Sequence, residues 1–190
     1  MSLEILKRMI VLKKINFENG LITVFGRAVV FMPVEVMLEM YDWSLKECGK
    51  KKADTFMYHM GYYQTKSGSG KYMANKSEMS KLFTRLTYTG DPAMEMGRDV
   101  LKFTGWGDHQ IAEIASDGSK MIIKTIVSPV AKAYLANKGK SKAPVCHYLA
   151  GLLAGVAESV RGNKYECKET ACAATGMSNA CIFELKKIGK

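Results

Sequence analysis

Between Pro144 and Leu185 the chain reads PVCHYLAGLLAGVAESVRGNKYECKETACAATGMSNACIFEL, which holds four of its five cysteines: Cys146, Cys167, Cys172 and Cys181. In a reducing compartment such cysteines point to a metal or to free thiols, not to a disulfide framework. Zinc needs four N, O or S ligands at about 2.0–2.3 Å in a tetrahedron, with its thiols deprotonated. Cys146, Cys172 and Cys181 supply three. The nine positions from Cys172 to Cys181 leave room for a turn to fold back over an ion. The fourth ligand is open among Cys167, Glu169 and His147. Cys167 and Glu169 are two apart and share one face of a strand. On softness alone Cys167 ranks first. The competing reading is that these are buried free cysteines behaving as small hydrophobes, and Cys48, alone on an expected helix, is read that way.

The elements that must position these residues follow from hydrophobic period and turn chemistry. Met9–Phe17, Leu21–Val24 and Arg27–Met32 read as three strands, the first two joined by Asn19-Gly20, a strong hairpin signal. Pro33 opens a helix carrying Val34, Met37, Leu38 and Tyr41, which Gly49 can end. A second helix from about Ala53 to Thr65 is expected to bury Phe56, Met60 and Tyr63. Lys66–Lys71 (KSGSGK) reads as a flexible turn. It lacks the Walker spacing and the Ser or Thr after the lysine, so it is not a phosphate loop. Ser77–Leu86 shows a further helical pattern.

Asp91-Pro92 then starts a helix with Met94, Val100, Leu101 and Phe103, ending near Gly105-Trp106-Gly107. Gln110–Ala115 and Lys120–Val127 read as strands joined by Asp117-Gly118. Ser128-Pro129 opens a short helix with Val130, Tyr134 and Leu135. A basic loop follows, and Pro144 opens the last long helix, whose Ala150, Gly151, Ala154 and Gly155 allow another backbone to pack closely. Lys164–Ala171 and Cys181–Lys187 close the chain as strands around a small-residue turn. The order predicts one α+β domain over residues 1–190, a mixed, mainly antiparallel sheet with packed helices.

Composition bounds the function. A net charge of +10 permits an anionic partner, but the basic residues are scattered, so a solubility role is preferred and nucleic acid is not expected. The N-terminus lacks a signal-peptide core, and Val145–Ala157 is too short to span a bilayer, so no membrane span and a cytoplasmic location are expected. No nucleophile–base–acid set is visible and no GxGxxG is present, which leans away from an enzyme. His59, His109 and His147 read as packed or surface residues. Thirteen methionines suit an adaptable apolar interior. A cavity for a small hydrophobic or aromatic ligand is therefore expected, with Trp106, Phe103 and Tyr134 as candidate lining. For these three, plain core packing is the favoured alternative.

The stretch also resembles the vinyl-4-reductase domain, found too as the aromatic-sensing module of phenol- and toluene-responsive activators. The matching features are Cys146, the Ala150-Gly151 and Ala154-Gly155 pairs, Glu169-x-x-Cys172, Gly176 and Cys181-x-Phe183, with Gly105-Trp106-Gly107 upstream. The resemblance covers the second half of the chain strongly and the N-terminal part weakly. It implies a zinc site of Cys146, Glu169, Cys172 and Cys181, which moves the fourth ligand from Cys167 to Glu169. The last ligand gap is about one residue longer than in the phenol sensors. The resemblance further implies a ligand-binding fold similar to transport-complex (TRAPP) subunits and haem-nitric-oxide sensors. Residues 91–190 would form the core with zinc, and residues 1–90 would contribute to a homodimer. The function implied is a zinc-containing small-molecule sensor or carrier. A reductase acting on a vinyl tetrapyrrole and a transport-complex-like interaction subunit are the alternatives.

Overall fold

The computed structural model describes residues 15–24, 27–69 and 92–189. The helix expected over Ser77–Leu86, and residues 9–14 of the first expected strand, lie outside them.

Strands β1 (Ile15–Glu18), β2 (Leu21–Val24) and β3 (Arg27–Val29) form an antiparallel meander. Asn19 (φ 50°) and Gly20 (φ 77°) both take positive φ, as a two-residue hairpin turn requires. The third strand stops before Met32. Val30, Phe31 and Met32 are extended and exposed.

Helix α1 spans Val34–Tyr63 with a break at Gly49, whose φ of 75° and ψ of 165° no helix accommodates. It is the two expected helices laid end to end. Its first half buries Met37, Leu38 and Tyr41 as the spacing required, but its second half turns a different face inward. Phe56, Met60 and Tyr63 are 41%, 40% and 57% exposed, while Ala53, Met57, Gly61 and Tyr62 are buried. Close approach of two backbones decides the rotation, and large side chains cannot stand in the seam. A π-helical turn, Gln64–Ser69, continues the helix through most of the segment expected to be a flexible turn.

Helix α2 (Pro92–Phe103) leads through Gly105 and Gly107 into β4 (Asp108–Ile114). The turn to β5 (Lys120–Val127) places Gly118 at φ 68°, and the Ser119 amide donates to Asp117 Oδ1 at 2.9 Å. Helix α3 (Pro129–Lys138) is capped by Ser128 with Pro129 in its first turn. Helix α4 (His147–Arg161) begins three residues later than the proline suggested, because Cys146 is its N-cap. Strands β6 (Tyr165–Ala171) and β7 (Cys181–Lys187) flank a 3-10 turn, Ala173–Thr175. Among the described residues the main sheet has the order β4-β5-β7-β6, antiparallel throughout.

Residues Tyr148–Ala157 of α4 are all buried, so this helix is apolar on every side and forms the centre of the domain. It packs on α1, α2 and β6. A Cβ on Gly61 would stand 2.0 Å from the Tyr148 carbonyl oxygen, and one on Gly155 would stand 1.9 Å from Thr65 Oγ1. The seam is tied by polar bonds: Tyr62 to Glu158, Tyr148 to Gln64, and Lys66 Nζ to Glu158 at 2.9 Å. No helix among the described residues is long and apolar enough to cross a membrane.

Candidate metal centre

Three structural joints bring the chemistry together. Cys146 sits at the N-cap of α4, Glu169 points inward from β6, and Cys172 and Cys181 stand at the two ends of the turn linking β6 to β7. One ligand atom from each lies within 4.8 Å of all the others, and all four residues are buried. The Sγ–Sγ separations are 3.7 Å for Cys146–Cys181 and 4.0 Å for both Cys146–Cys172 and Cys172–Cys181. A tetrahedron with metal–sulfur bonds of about 2.3 Å has ligand edges of about 3.8 Å. The thiols are thus spaced to surround an ion, and each is free of a disulfide.

The surrounding groups favour negative charge. The Cys146 amide donates to Glu169 Oε2 at 2.9 Å, and the Ala173 amide to Cys181 Sγ at 3.3 Å. The N-terminus of α4 adds its positive end. Glu169 Oε1 is buried and makes no well-formed hydrogen bond, leaving a carboxylate oxygen for an ion. In the protein alone the set holds most of its protons. Burial, and then the neighbouring Cys172 charge, push the Glu169 carboxyl up to about 8. Hydrogen bonds from Cys146 and Cys181 draw Cys172 well below the thiol range. Hydrogen bonds to Cys172 and Cys181, with burial, hold Cys146 up. At Cys181 the Cys146 hydrogen bond lowers, but Cys172 and burial outweigh it and raise. One thiol takes the charge and its neighbours keep their protons. A divalent cation would let all of them ionise. The four residues can hold a metal ion.

Cys167 shares the inward face of β6, but its thiol is not among the converging atoms. Burial pushes that thiol well up, and its amide donates to the Tyr58 hydroxyl at 3.1 Å. His147 faces away toward α1, with Nε2 3.2 Å from Asp54 Oδ1 but outside hydrogen-bonding direction. Cys48 is exposed, contrary to the buried expectation. It lies on the outer face of α1 beside the Gly49 break and donates to the Ser44 carbonyl.

A cavity of about 650 Å³ opens between α1 and the free edge of β6, lined among others by Tyr58, His59, Tyr62, Lys66, His147 and Cys167. Trp106, Phe103 and Tyr134 do not line it. Trp106 stacks on Tyr148 at 5.1 Å, Lys138 lies 5.5 Å over Tyr134, and Phe103 is half-buried at the end of α2. The Tyr58-His59 and Tyr62-Tyr63 pairs were visible in the sequence as aromatic doublets four apart. They escaped notice because the inward face was assigned to their neighbours. Ser128 was read only as a helix start, yet its Oγ is 3.3 Å from Cys146 Sγ.

An α+β domain with a buried Cys₃Glu cluster at a helix start is the class this geometry defines. Residues 126–187 match the vinyl-4-reductase domain, and over that stretch the chain belongs to that family. No curated protein sequence matches the chain. Among solved structures, it is similar to the phenol-responsive sensory domain of the transcription activator PoxR, determined with phenol. That match has a TM-score of 0.73 and 16% identity, over 98% of this chain and 92% of that one. It is also similar to a trafficking protein particle complex subunit 3 from Naegleria fowleri, covalently bound to palmitic acid. There the TM-score is 0.57 and the identity 16%, over 82% of this chain and 95% of that one. A vinyl-4-reductase family protein from Methanocaldococcus jannaschii aligns with a TM-score of 0.48 and 17% identity, over 85% of each chain. The fold is the one shared by the PoxR sensory domain and the trafficking subunit.

Proposed function

We propose that the protein is a zinc-containing small-molecule-binding module, a sensor or carrier, in which zinc has a structural role. The observation that carries this is the convergence of Cys146, Glu169, Cys172 and Cys181 within 4.8 Å in a buried site. Four protein ligands leave a tetrahedral ion no open position for substrate. Bound there, zinc would pin the β6–β7 turn to the start of α4. Soft thiolates with one carboxylate suit zinc better than a hard cation.

The ligand we propose is a small hydrophobic or aromatic molecule. In support, the cavity beside α1 has the volume of an ordinary ligand pocket and an aromatic lining. The PoxR sensory domain, of the same fold, was determined with phenol. Native mass spectrometry of the purified protein, before and after chelation and mild denaturation, tests the reading. One zinc per chain and a releasable small molecule support it. Metal-free protein with no retained or added aromatic ligand would abandon it.

A specific observation also favours self-association through the N-terminal elements of residues 1–90. The β1–β3 meander buries none of its described residues, and Phe17, Phe31 and Trp43 are 67%, 83% and 65% exposed. Three short strands need a covered apolar face to be stable. A second copy of the chain would cover it, so the module is proposed to act as a homodimer.

A further inference from the structure

Ser128 stands between two parts of the fold that the site otherwise leaves separate. It is 5% exposed and closes β5 onto α3. Its Oγ accepts the Ala131 amide at 3.2 Å, capping α3, and lies 3.3 Å from Cys146 Sγ. A serine hydroxyl has one proton and two lone pairs. The lone pairs serve the helix cap, so the proton is available to one acceptor, and the nearest is the Cys146 sulfur. A thiolate there can only accept. With Cys146 ionised, the hydroxyl therefore points at sulfur and the cap geometry is satisfied at the same time.

We propose that Ser128 is a positioning residue of the metal centre: its hydroxyl donates to the Cys146 thiolate while it caps α3, so that metal binding and the start of α3 are set together. This rests on the metal reading above and goes beyond it by adding a fifth residue, from a different part of the chain, to the four that hold the ion. The thiolate at a helix N-cap would otherwise have its charge countered from one side only. The far end of α3 is held to α1 by the Lys138–Asp42 pair, and the Ser141 amide donates to the Ala174 carbonyl at 2.8 Å. A fixed α3 start therefore places the segment that packs against the β6–β7 turn.

The test is zinc competition against a chromogenic chelator, with Co²⁺ substitution read from its thiolate charge-transfer band, on wild type, Ser128→Gly and Ser128→Thr. Glycine fills an N-cap nearly as well as serine but has no hydroxyl. Loss of an outer hydrogen bond to a ligand typically weakens a metal site by about tenfold or more. Ser128→Gly should weaken zinc binding by that factor and shift the Co²⁺ band, and Ser128→Thr should restore both. Unchanged affinity and an unchanged band in folded Ser128→Gly overturn the proposal and leave Ser128 a cap only. Wild type that binds no zinc overturns the metal reading itself. Should Ser128→Gly fail to fold, Ser128→Thr carries the test through its Co²⁺ band: a wild-type band supports the donor role, and a band shifted to that of a site lacking the bond overturns it.

Discussion

The Tyr58 carbonyl oxygen occupies the place a side chain on Gly151 would need: a Cβ there would stand 1.9 Å from it. Two rigid helix backbones, α1 and α4, meet at this point, and neither can give way as a flexible side chain would. Helix propensity alone makes Gly→Ala a gain of about 1 kcal/mol. Overpacking a close backbone contact costs about 1–3 kcal/mol. Gly151→Ala is therefore expected to destabilise the protein by about 2 kcal/mol net, measured by urea unfolding. A stabilised variant would show that the helices are not in contact here.

Cys167 and Glu169 separate two accounts of the fourth ligand. Cys167→Ala should keep the zinc content of the wild type and lose only packing energy, because its thiol lies outside the cluster. Glu169→Gln should lower zinc affinity by at least about tenfold, a loss typical even of outer partners. The converse pattern, read by the same chelator competition, would return the role to Cys167.

His109 gives the pH dependence a sign. It is fully buried on β4, with Nδ1 2.9 Å from Thr125 Oγ1, near Asp108, Arg98 and Lys102. Burial holds its imidazole down to about 4, from 6.5 in the unfolded chain. Between these values the unfolded state binds the proton and the folded state does not. The contribution is thus complete above pH 6.5 and is lost as pH falls toward 4, amounting to about 3 kcal/mol in all. Urea unfolding from pH 7 to 5 should show a fall in wild type that is flatter in His109→Gln. Parallel curves would contradict a buried neutral histidine.

The exposed apolar surface predicts an assembly. Replacing Phe31 and Trp43 together by glutamate should convert dimer to monomer in sedimentation velocity, with the zinc content unchanged. A wild-type protein that sediments as a monomer at tens of micromolar would remove the dimer from the account.

Much of this molecule was legible in its residues because turn chemistry is local. Asn19-Gly20, Asp117-Gly118, Ser128-Pro129 and Gly162 each mark a boundary that the structure keeps. The ligand cluster was legible only in part. Spacing put Cys146, Cys172 and Cys181 together but ranked Cys167 above Glu169. Nothing local says which inward residue of β6 lies level with the N-cap of α4. The family pattern carried that choice. The inward face of α1 was misread because the rule used was that large apolar residues go inside. Here glycines on facing helices bring the backbones so close that Phe56, Met60 and Tyr63 turn outward. Ser128 could not be found from its neighbours at all, since its partner lies eighteen residues along the chain.

The central claim is that the buried cluster holds zinc as one unit. Elemental analysis of purified wild type beside Cys172→Ala tests it most directly. The account predicts about one zinc per wild-type chain and a large loss in the variant, since an ion with one thiolate missing is held far more weakly. Wild type without zinc, or zinc that is indifferent to Cys172→Ala, would contradict it.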